Sequence, residues 1–520
     1  MIFNGCTPII SAASMRSLDS ETKLFNTENS DFAASAIEAG YDLMKEAGAA
    51  LYNRVLELLG NKNSRVAVFV GGGNNGGDGL VLAKLLIDAD IPCTVFSLAK
   101  PETFKNEARM AYEDFAANRG KLIYTSGSLP KDPDYALVVD CMLGNGTSGE
   151  LRPVFAQVVE TINSWNIPVF AADAPTGFDS LEHHCGSVCI KAAETMLFGL
   201  PRLDAYTSEG SEVFGDVKVA RLNYPLELIE KYDENFYMAD EKLISKLLPM
   251  RNEAGDKRVQ GTAMVIAGSG NMTGAAALST EAALRSGAGL VTLAAPKAIL
   301  PVMQAKLSEP VFCGLGNQYS ELLSVSHIPL LRDKAEHQNA IAIGPGLGTA
   351  PETQDAVRVF LTGLNTPVVI DADAINACGA TFFKTQEGPT NAIITPHKRE
   401  WERNFSALPE NENSYPEYLR KFSKQFNMVI LLKGSPTYVA LPDGKVYVIS
   451  ARNSGMAKGG CGDVLTGIIV SLLAQGLTTG DAAVLGALLH QKAGRLARMD
   501  LGAYSMLPSD IIGHLHLAFG

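Results

Sequence analysis

Positive charge is scarce in this chain. Lys and Arg number 44 against 56 Asp and Glu, a formal net charge of −12, and no long basic run offsets the difference. That balance argues against nucleic acid and anionic membranes as partners. Phosphate groups would have to be met by backbone N–H groups and a few local cations. Long apolar runs are missing too: no stretch approaches the roughly 20 residues needed to span a bilayer. The first basic residue is Arg16, so no charged region precedes the first apolar residues and no secretory leader is expected. Cysteine is sparse, eight in 520 residues, which excludes a disulfide framework and points to a reduced, cytoplasmic setting. The one local cluster runs from His183 and His184 through Cys185 to Cys189. It lacks a second Cys/His pair at metal-ligand spacing and reads as a turn leading into a strand before Ala192.

What is present fits two globular domains. The length exceeds that of one typical core, and 46% hydrophobic with 19% charged residues is ordinary for a soluble protein. Residues 15–60 read as helical, with apolar periodicity through Phe32, Ala36, Met44, Leu51, Val55 and Leu58. Strand and helix patterns then alternate. Strands are expected at 66–70, 93–98, 121–124, 136–140 and 168–173, with helices at 79–89, 102–118 and 153–164. Short β-rich pieces follow through 213–220. The charged, aromatic stretch 224–241 has few sheet signals, and the boundary is placed there, giving domains 1–235 and 236–520. The second half alternates again, with strands at 263–267, 290–294, 340–344, 368–370, 392–395 and 428–432. Its helices are 275–286, 462–474 and 479–497. Alternation of this kind marks parallel sheets covered by helices on both faces, an α/β class. The first eleven residues are expected to lack fixed structure.

Ligands of open parallel sheets bind beyond the carboxyl ends of the strands. In the first half three such ends carry chemistry. The strand at 66–70 delivers the loop Gly71-Gly72-Gly73-Asn74-Asn75-Gly76-Gly77-Asp78-Gly79. The strand at 136–139 delivers Asp140, followed by Gly144-Asn145-Gly146-Thr147-Ser148-Gly149-Glu150. The strand at 169–172 delivers Asp173, followed by Pro175-Thr176-Gly177. Glycines permit close backbone approach to phosphate, and the helix N-terminus behind them favours an anion. Asp78, Asp140 and Asp173 are expected to crowd one crevice, where like charges raise a pKa or recruit a cation. Asn75 and Thr176 could complete a hard-cation shell. The loop is neither G-x-G-x-x-G nor a Walker A. Composition and spacing reach an α/β phosphate-ligand site with a possible cation, and stop there.

The second half holds a different glycine design. Gly459-Gly460-Cys461-Gly462-Asp463 opens a long apolar helix, and consecutive N–H groups there make an anion hole. An aspartate in a first helical turn is also ordinary N-terminal chemistry. Four strand ends tilt the balance: Gly344-Pro345-Gly346-Leu347-Gly348, Asp371-Ala372-Asp373, Thr395-Pro396-His397 and Lys433-Gly434-Ser435-Pro436-Thr437. Such a set suits phosphoryl transfer, with backbone amides and Lys433 on phosphate and Asp463 taking a hydroxyl proton.

Taken together, Gly71–Gly79, Val139–Gly146, Asp173–Asp179 and Thr195–Pro201 resemble the NAD(P)HX epimerase domain, over roughly residues 10–225. That family interconverts the epimers of hydrated NADH or NADPH. The resemblance implies a Rossmann-like three-layer sandwich. It implies substrate contacts from Asn74, Asn75, Gly76, Gly77, Asp78, Gly144, Asn145, Gly146, Thr147, Ser148, Gly149, Glu150 and Asp173. It implies potassium on Asn75, Asp140 and Thr176, with Asp173 doing acid–base work. Asn145, Ala174, Thr176 and Phe178 depart from the Thr, Ile, Ser and Leu expected there, though Thr176 keeps its hydroxyl.

Gly268-Ser269, Gly274-Ala275, Ser286–Val291, the Gly344–Gly348 run and Gly459–Gly467 resemble the ribokinase-like family. Within it they resemble the ADP/ATP-dependent NAD(P)HX dehydratase, over roughly residues 236–515. The resemblance implies a magnesium-dependent removal of water from the (S)-hydrate at the expense of ADP or ATP. Ala275, Gly348, His397 and Asp463 would touch the substrate; Lys433, Gly434, Ser435, Pro436, Thr437 and Gly462 would touch the nucleotide. Lys398-Arg399-Glu400 replaces the usual Pro-Gly-Glu, and Cys461 the usual Thr or Met. The two resemblances occur in the order of bacterial fusion enzymes of nicotinamide repair, for which NADHX or NADPHX and ADP or ATP are the small-molecule partners and homo-oligomeric assembly is expected. Two other readings stay open here: a kinase for a small vitamin alcohol, and an N-terminal half serving as a non-catalytic, RNA-associated module.

Overall fold

The computed structural model describes residues 6–29, 35–60, 64–131, 133–385, 388–450 and 452–520. The chain divides into two compact units, one ending at Glu234 and the next beginning at Asn235. Both are α/β.

The first unit holds a seven-stranded, all-parallel sheet. From one edge its strands are Asp216–Ala220, Glu194–Phe198, Val169–Ala172, Leu137–Cys141, Val66–Val70, Cys93–Ser97 and Leu122–Tyr124. The strand Val66–Val70 is buried along its whole length. Val66, Val68 and Val70 enter one apolar cluster, Ala67 and Phe69 the opposite one. A continuous apolar run is what burial on both faces requires. Strand order reverses between Val66–Val70 and Leu137–Cys141. At that switch point the helices above and below diverge and leave a crevice.

Several boundaries differ from the sequence reading. The helix assigned to 79–89 spans Asn74–Asp88, so half of the glycine-rich loop is the helix's own first turns. Gly76 and Gly77 are helical packing positions: a Cβ on Gly77 would lie 2.5 Å from the Met44 sulfur, and one on Gly76 2.1 Å from the Gly71 carbonyl oxygen. Residues 15–60 are two helices, Ala12–Asn29 and Ala36–Leu59, the second N-capped by Ser35; Phe32 lies outside the described residues. The helix at 102–118 is a short 3₁₀ turn, Pro101–Thr103, and then Asn106–Ala117. No strand directly precedes Ala192, since residues 186–191 are irregular. The backbone there bonds to a loop instead, Ile190 N–H to the Thr176 carbonyl and Gly186 N–H to that of Gly177. The stretch 213–220 resolves into the helix Ser208–Val213 and the strand Asp216–Ala220. The first five residues lie outside the described ones, but Ile9 and Ile10 are fully buried and Ile10 bridges to Arg202. The expected disorder therefore fails for that part, because two isoleucines have core to enter.

In the second unit the strands follow the order Phe236–Met238, Val446–Ile449, Thr437–Ala440, Val429–Leu432, Ala392–Ile394, Val368–Ile370, Ala340–Ile343, Thr262–Ile266, Leu290–Pro296 and Val311–Leu315. The neighbours of Thr437–Ala440 run antiparallel to it; the remaining pairs in this series are parallel. Again the order reverses between Ala340–Ile343 and Thr262–Ile266. The apolar helix Cys461–Ala474 packs against the helix Thr273–Arg285 across a core rich in Ala, Val and Leu. The following helix, Thr479–Ser505, runs past the expected stop at 497 and breaks at Gly502. Among the described residues no helix is long and apolar enough to cross a membrane.

Candidate active sites

In the first unit the crevice is a cavity of about 510 Å³. Gly73, Asn74, Asn75 and Asp78 line it from the switch-point helix, Gly144 to Thr147 from the loop after Leu137–Cys141, and Asp173 from the end of Val169–Ala172. Asp173 has a left-handed backbone, φ 62°, which costs a non-glycine residue about 1 kcal/mol or more. Three bonds hold it there. Arg202 Nη1 meets Oδ1 at 2.5 Å, Arg202 Nη2 meets the Asp173 carbonyl at 2.9 Å, and the Asn145 N–H donates to Oδ2 at 2.7 Å. A Cβ on Gly144 would lie 2.7 Å from that same Oδ2, so the loop can approach the carboxylate only with glycine.

Asp140 does not join the other carboxylates. It is fully buried and absent from the cavity lining. Its oxygens accept from Met142 N, Thr176 N and the Thr176 hydroxyl at 2.8–3.1 Å. Burial raises its pKa to about 6 against the pull of those three donors. The crowding involves Asp78 and Asp19 with Asp173. Burial, then Asp173 and Asp19, push Asp78 well above the usual carboxylate range.

The loop at 144–150 also divides. Ser148, Gly149 and Glu150 turn away from the cavity: Gly149 N–H donates to Asp179 Oδ2 at 2.7 Å, and Glu150 accepts from the Ser187 hydroxyl at 2.6 Å. The cluster at 183–189 forms half of a small hairpin, Phe178–Asp179 with His184–Cys185. All eight cysteines are free thiols.

The residues expected to hold potassium, Asn75, Asp140 and Thr176, offer oxygen donors. Asn75 is buried, and neither its amide oxygen nor its nitrogen finds a partner among the described residues. It packs against Gly144, while the Thr176 hydroxyl accepts from the Leu143 N–H one residue away. An orphaned, buried amide oxygen fits a hard cation.

In the second unit, Asp463 occupies the first turn of Cys461–Ala474. Burial raises its pKa to about 7; Asp371, Asp373 and Glu400 add to the rise and Lys433 opposes it. Lys433 Nζ lies 2.8 Å from Asp371 Oδ1 and 3.8 Å from Glu400. A Cβ on Gly462 would lie 3.3 Å from that ammonium, so the lysine sits at the helix N-terminus. Burial works to lower the Lys433 pKa, but Asp371 and Glu400 outweigh it and the net shift is upward. The other oxygen of buried Asp371 accepts from the Thr466 hydroxyl at 2.7 Å.

Gly344 lets two strand ends touch. It has φ 131°, and a Cβ there would lie 1.8 Å from the Asp371 carbonyl oxygen. The chain then folds back so that Gly348 N–H donates to Asp373 at 2.8 Å. A Cβ on Gly346 would meet Ala275 at 2.9 Å. Exposed His397 caps the helix Lys398–Asn404: its Nδ1 accepts from Glu400 N–H at 3.0 Å, and Glu400 accepts from His397 N–H at 2.8 Å. The His397-to-Glu400 turn therefore closes without the expected Pro-Gly. The Thr437 hydroxyl bonds the Gly434 carbonyl at 3.0 Å, closing the loop Lys433–Thr437 beside it. No preformed cluster of three or more acidic, His or Cys ligands stands among the described residues.

Residues 40–203 match the family described as YjeF-related protein N-terminus, and residues 263–516 match NAD(P)H-hydrate dehydratase. The chain is 35% identical over 483 residues to the bifunctional NAD(P)H-hydrate repair enzyme Nnr of Moorella thermoacetica, covering 91% of both chains. It belongs to the bifunctional NAD(P)H-hydrate repair enzyme family. The Escherichia coli K12 member is 30% identical over 91% of this chain and 88% of its own. A Bacillus subtilis ADP/ATP-dependent NAD(P)H-hydrate dehydratase, crystallised with ATP and Mg²⁺, is 30% identical over 54% of this chain and 98% of its own, with a TM-score of 0.46. This repair enzyme thus carries an epimerase domain followed by a dehydratase domain.

Sequence reasoning missed part of both sites. In the epimerase unit Asp19, Arg202 and Tyr224 stand in or under the cavity, yet they come from a helix, an isolated bridge and a loop with no glycine or strand-end signal. In the dehydratase unit, Thr466 and buried His490 lie on helices whose apolar patterns read as pure core. His490 bonds the Cys461 backbone, and burial lowers its pKa to about 4.

Proposed function

We propose that the first unit interconverts (R)- and (S)-NADHX and NADPHX, and that the second dehydrates the (S)-hydrate using ADP or ATP, releasing AMP or ADP and phosphate. The carrying observation is Asp463, at a helix N-terminus with an ammonium beside it and a pKa near 7. A base poised there takes the proton of the substrate's ring hydroxyl as that oxygen attacks the terminal phosphate. Gly462, the N-terminal amides and Lys433 with Gly434, Ser435, Pro436 and Thr437 bind the phosphates and hold them in line. Ala275, Gly348 and His397 position the hydrate. Phosphate then leaves with the oxygen, the adjacent carbon gives up its proton, and the ring double bond is restored. Magnesium, when bound with the nucleotide, would screen phosphate charge.

In the epimerase site Asn74, Asn75, Gly76, Gly77 and Asp78 place the helix N-terminus against the dinucleotide phosphates. Gly144–Thr147 form the facing loop, and Asp173 exchanges protons at the hydrated carbon. Potassium on Asn75, Asp140 and Thr176 would tie that loop to the helix and offset nearby negative charge.

The test is a balance of products. With pure (S)-NADHX and ADP, each NADH recovered should be matched by one AMP and one phosphate, and no phosphorylated organic product should accumulate. A stable phosphorylated alcohol would make this site a kinase instead.

A further inference from the structure

We propose that Asp19, held by Tyr224, is a second acid–base residue of the epimerase site, acting opposite Asp173. This rests on the epimerase reading of the first unit. Asp19 belongs to the helix Ala12–Asn29, and Tyr224 follows the last strand of the sheet. Though 205 positions apart, they meet: the Tyr224 hydroxyl donates to Asp19 Oδ1 at 2.5 Å. Both line the cavity that Asp78 and Asp173 also line. A base oriented by a third group at the wall of a ligand cavity is the arrangement expected of acid–base machinery.

The surrounding charges decide which form Asp19 takes. The cations lining or flanking the cavity are largely engaged. Arg202 pairs with Asp173 and Asp204, and Lys23 with Glu107 at 2.6 Å. Arg16 is the remaining lining cation. Neither Asp19 nor Asp78 forms an ion pair among the described residues. With no cation paired to it and Asp173 close by, Asp19 is favoured as the neutral acid. Burial raises Asp19 to about 6; Asp173 adds to the rise, while Tyr224, Lys23 and Arg202 oppose it.

Inverting a hydrated carbon requires a proton donor when the hydroxyl leaves and a proton acceptor when water returns. Protonated Asp19 gives its proton to the departing hydroxyl as the C–O bond breaks and the ring-nitrogen lone pair fills the C–N bond. Water then adds from the other face, and its proton passes to the Asp173 carboxylate. Asp19 ends as the anion and Asp173 as the acid, the state that runs the opposite epimerisation; exchange with solvent resets it. Tyr224 is a positioning residue. Its hydrogen bond favours the Asp19 anion, so its loss raises the Asp19 pKa.

The experiment follows conversion of pure (R)-NADHX to the (S)-epimer by chromatography, across pH 5–9, in the full chain with no nucleotide. Asp19→Asn should lower kcat about 100-fold or more with KM changed less than about 3-fold, while dehydration of (S)-NADHX with ADP proceeds at the wild-type rate. In the wild type kcat should fall as pH rises through the Asp19 pKa, and Tyr224→Phe should move that fall to higher pH. Wild-type epimerisation that persists in Asp19→Asn within about 3-fold overturns the proposal and leaves the epimerase reading intact. An unmoved profile in Tyr224→Phe overturns it independently, should Asp19→Asn not fold. A wild-type chain no faster than the spontaneous reaction overturns both.

Discussion

Arg202, fully buried, binds Asp173 twice, through Oδ1 at 2.5 Å and through the main-chain carbonyl at 2.9 Å. The same guanidinium faces buried Asp204 at 3.5 Å. It therefore fixes the orientation of the epimerase carboxylate and holds its left-handed backbone. Arg202→Met would strand one buried and one nearly buried carboxylate. Breaking such pairs costs about 3–5 kcal/mol, and denaturant unfolding of the variant should show a loss of that order. Arg202→Lys should not restore stability, because an ammonium cannot reproduce the forked contact.

The two active sites should fail separately. Asp173→Asn should abolish enzymatic epimerisation and leave dehydration of (S)-NADHX intact. Asp463→Asn should do the reverse, with a loss of dehydration of roughly 100-fold or more. Dehydration is read by NADH absorbance from pure (S)-NADHX with ADP, and epimerisation by chromatography of pure (R)-NADHX. Loss of both activities from either change, in a folded protein, would falsify the two-site account.

The pH dependence of dehydration should have an acid limb. Asp463 works as an anion and its pKa stands at about 7, so kcat falls as pH drops through that value. Asp373 is one of the groups that raise it. Asp373→Asn keeps an oxygen for the Gly348 N–H and removes the charge, so the limb should shift to lower pH. An unmoved limb would detach it from Asp463.

Two glycine substitutions should act in opposite directions. A Cβ on Gly467 would lie 2.2 Å from the Ser279 carbonyl oxygen, where two helices cross. Gly467→Ala should destabilise by about 1–3 kcal/mol. Gly513 is an exposed helical position with nothing within 4 Å of its added Cβ. Gly513→Ala should stabilise by roughly 0.5–1 kcal/mol. Paired thermal melts check both.

Much of this was legible in the sequence, for identifiable reasons. Buried parallel strands such as Val66–Val70 and Val429–Leu432 are continuous apolar runs, and their carboxyl ends announce themselves with Gly, Asp or Lys. What escaped was anything whose meaning depends on tertiary position. Asp140 looks from spacing like a cavity carboxylate, but its neighbour Thr176 turns it inward. Gly76 and Gly77 read as loop, although their small size serves helix packing against Met44 and the Gly71 carbonyl. Asp19 and Tyr224 carry no local motif, and only the fold brings residues 205 positions apart into one bond. The strands Thr437–Ala440 and Val446–Ile449 were missed because an antiparallel hairpin interrupts the β–α alternation.

The central claim is two cooperating active sites in one chain, and NADH absorbance recovered from mixed (R,S)-NADHX with ADP or ATP and magnesium tests it most directly. The account predicts recovery of the whole pool, faster than spontaneous epimerisation allows. Rapid recovery of only part of the pool, followed by the uncatalysed rate, would contradict it.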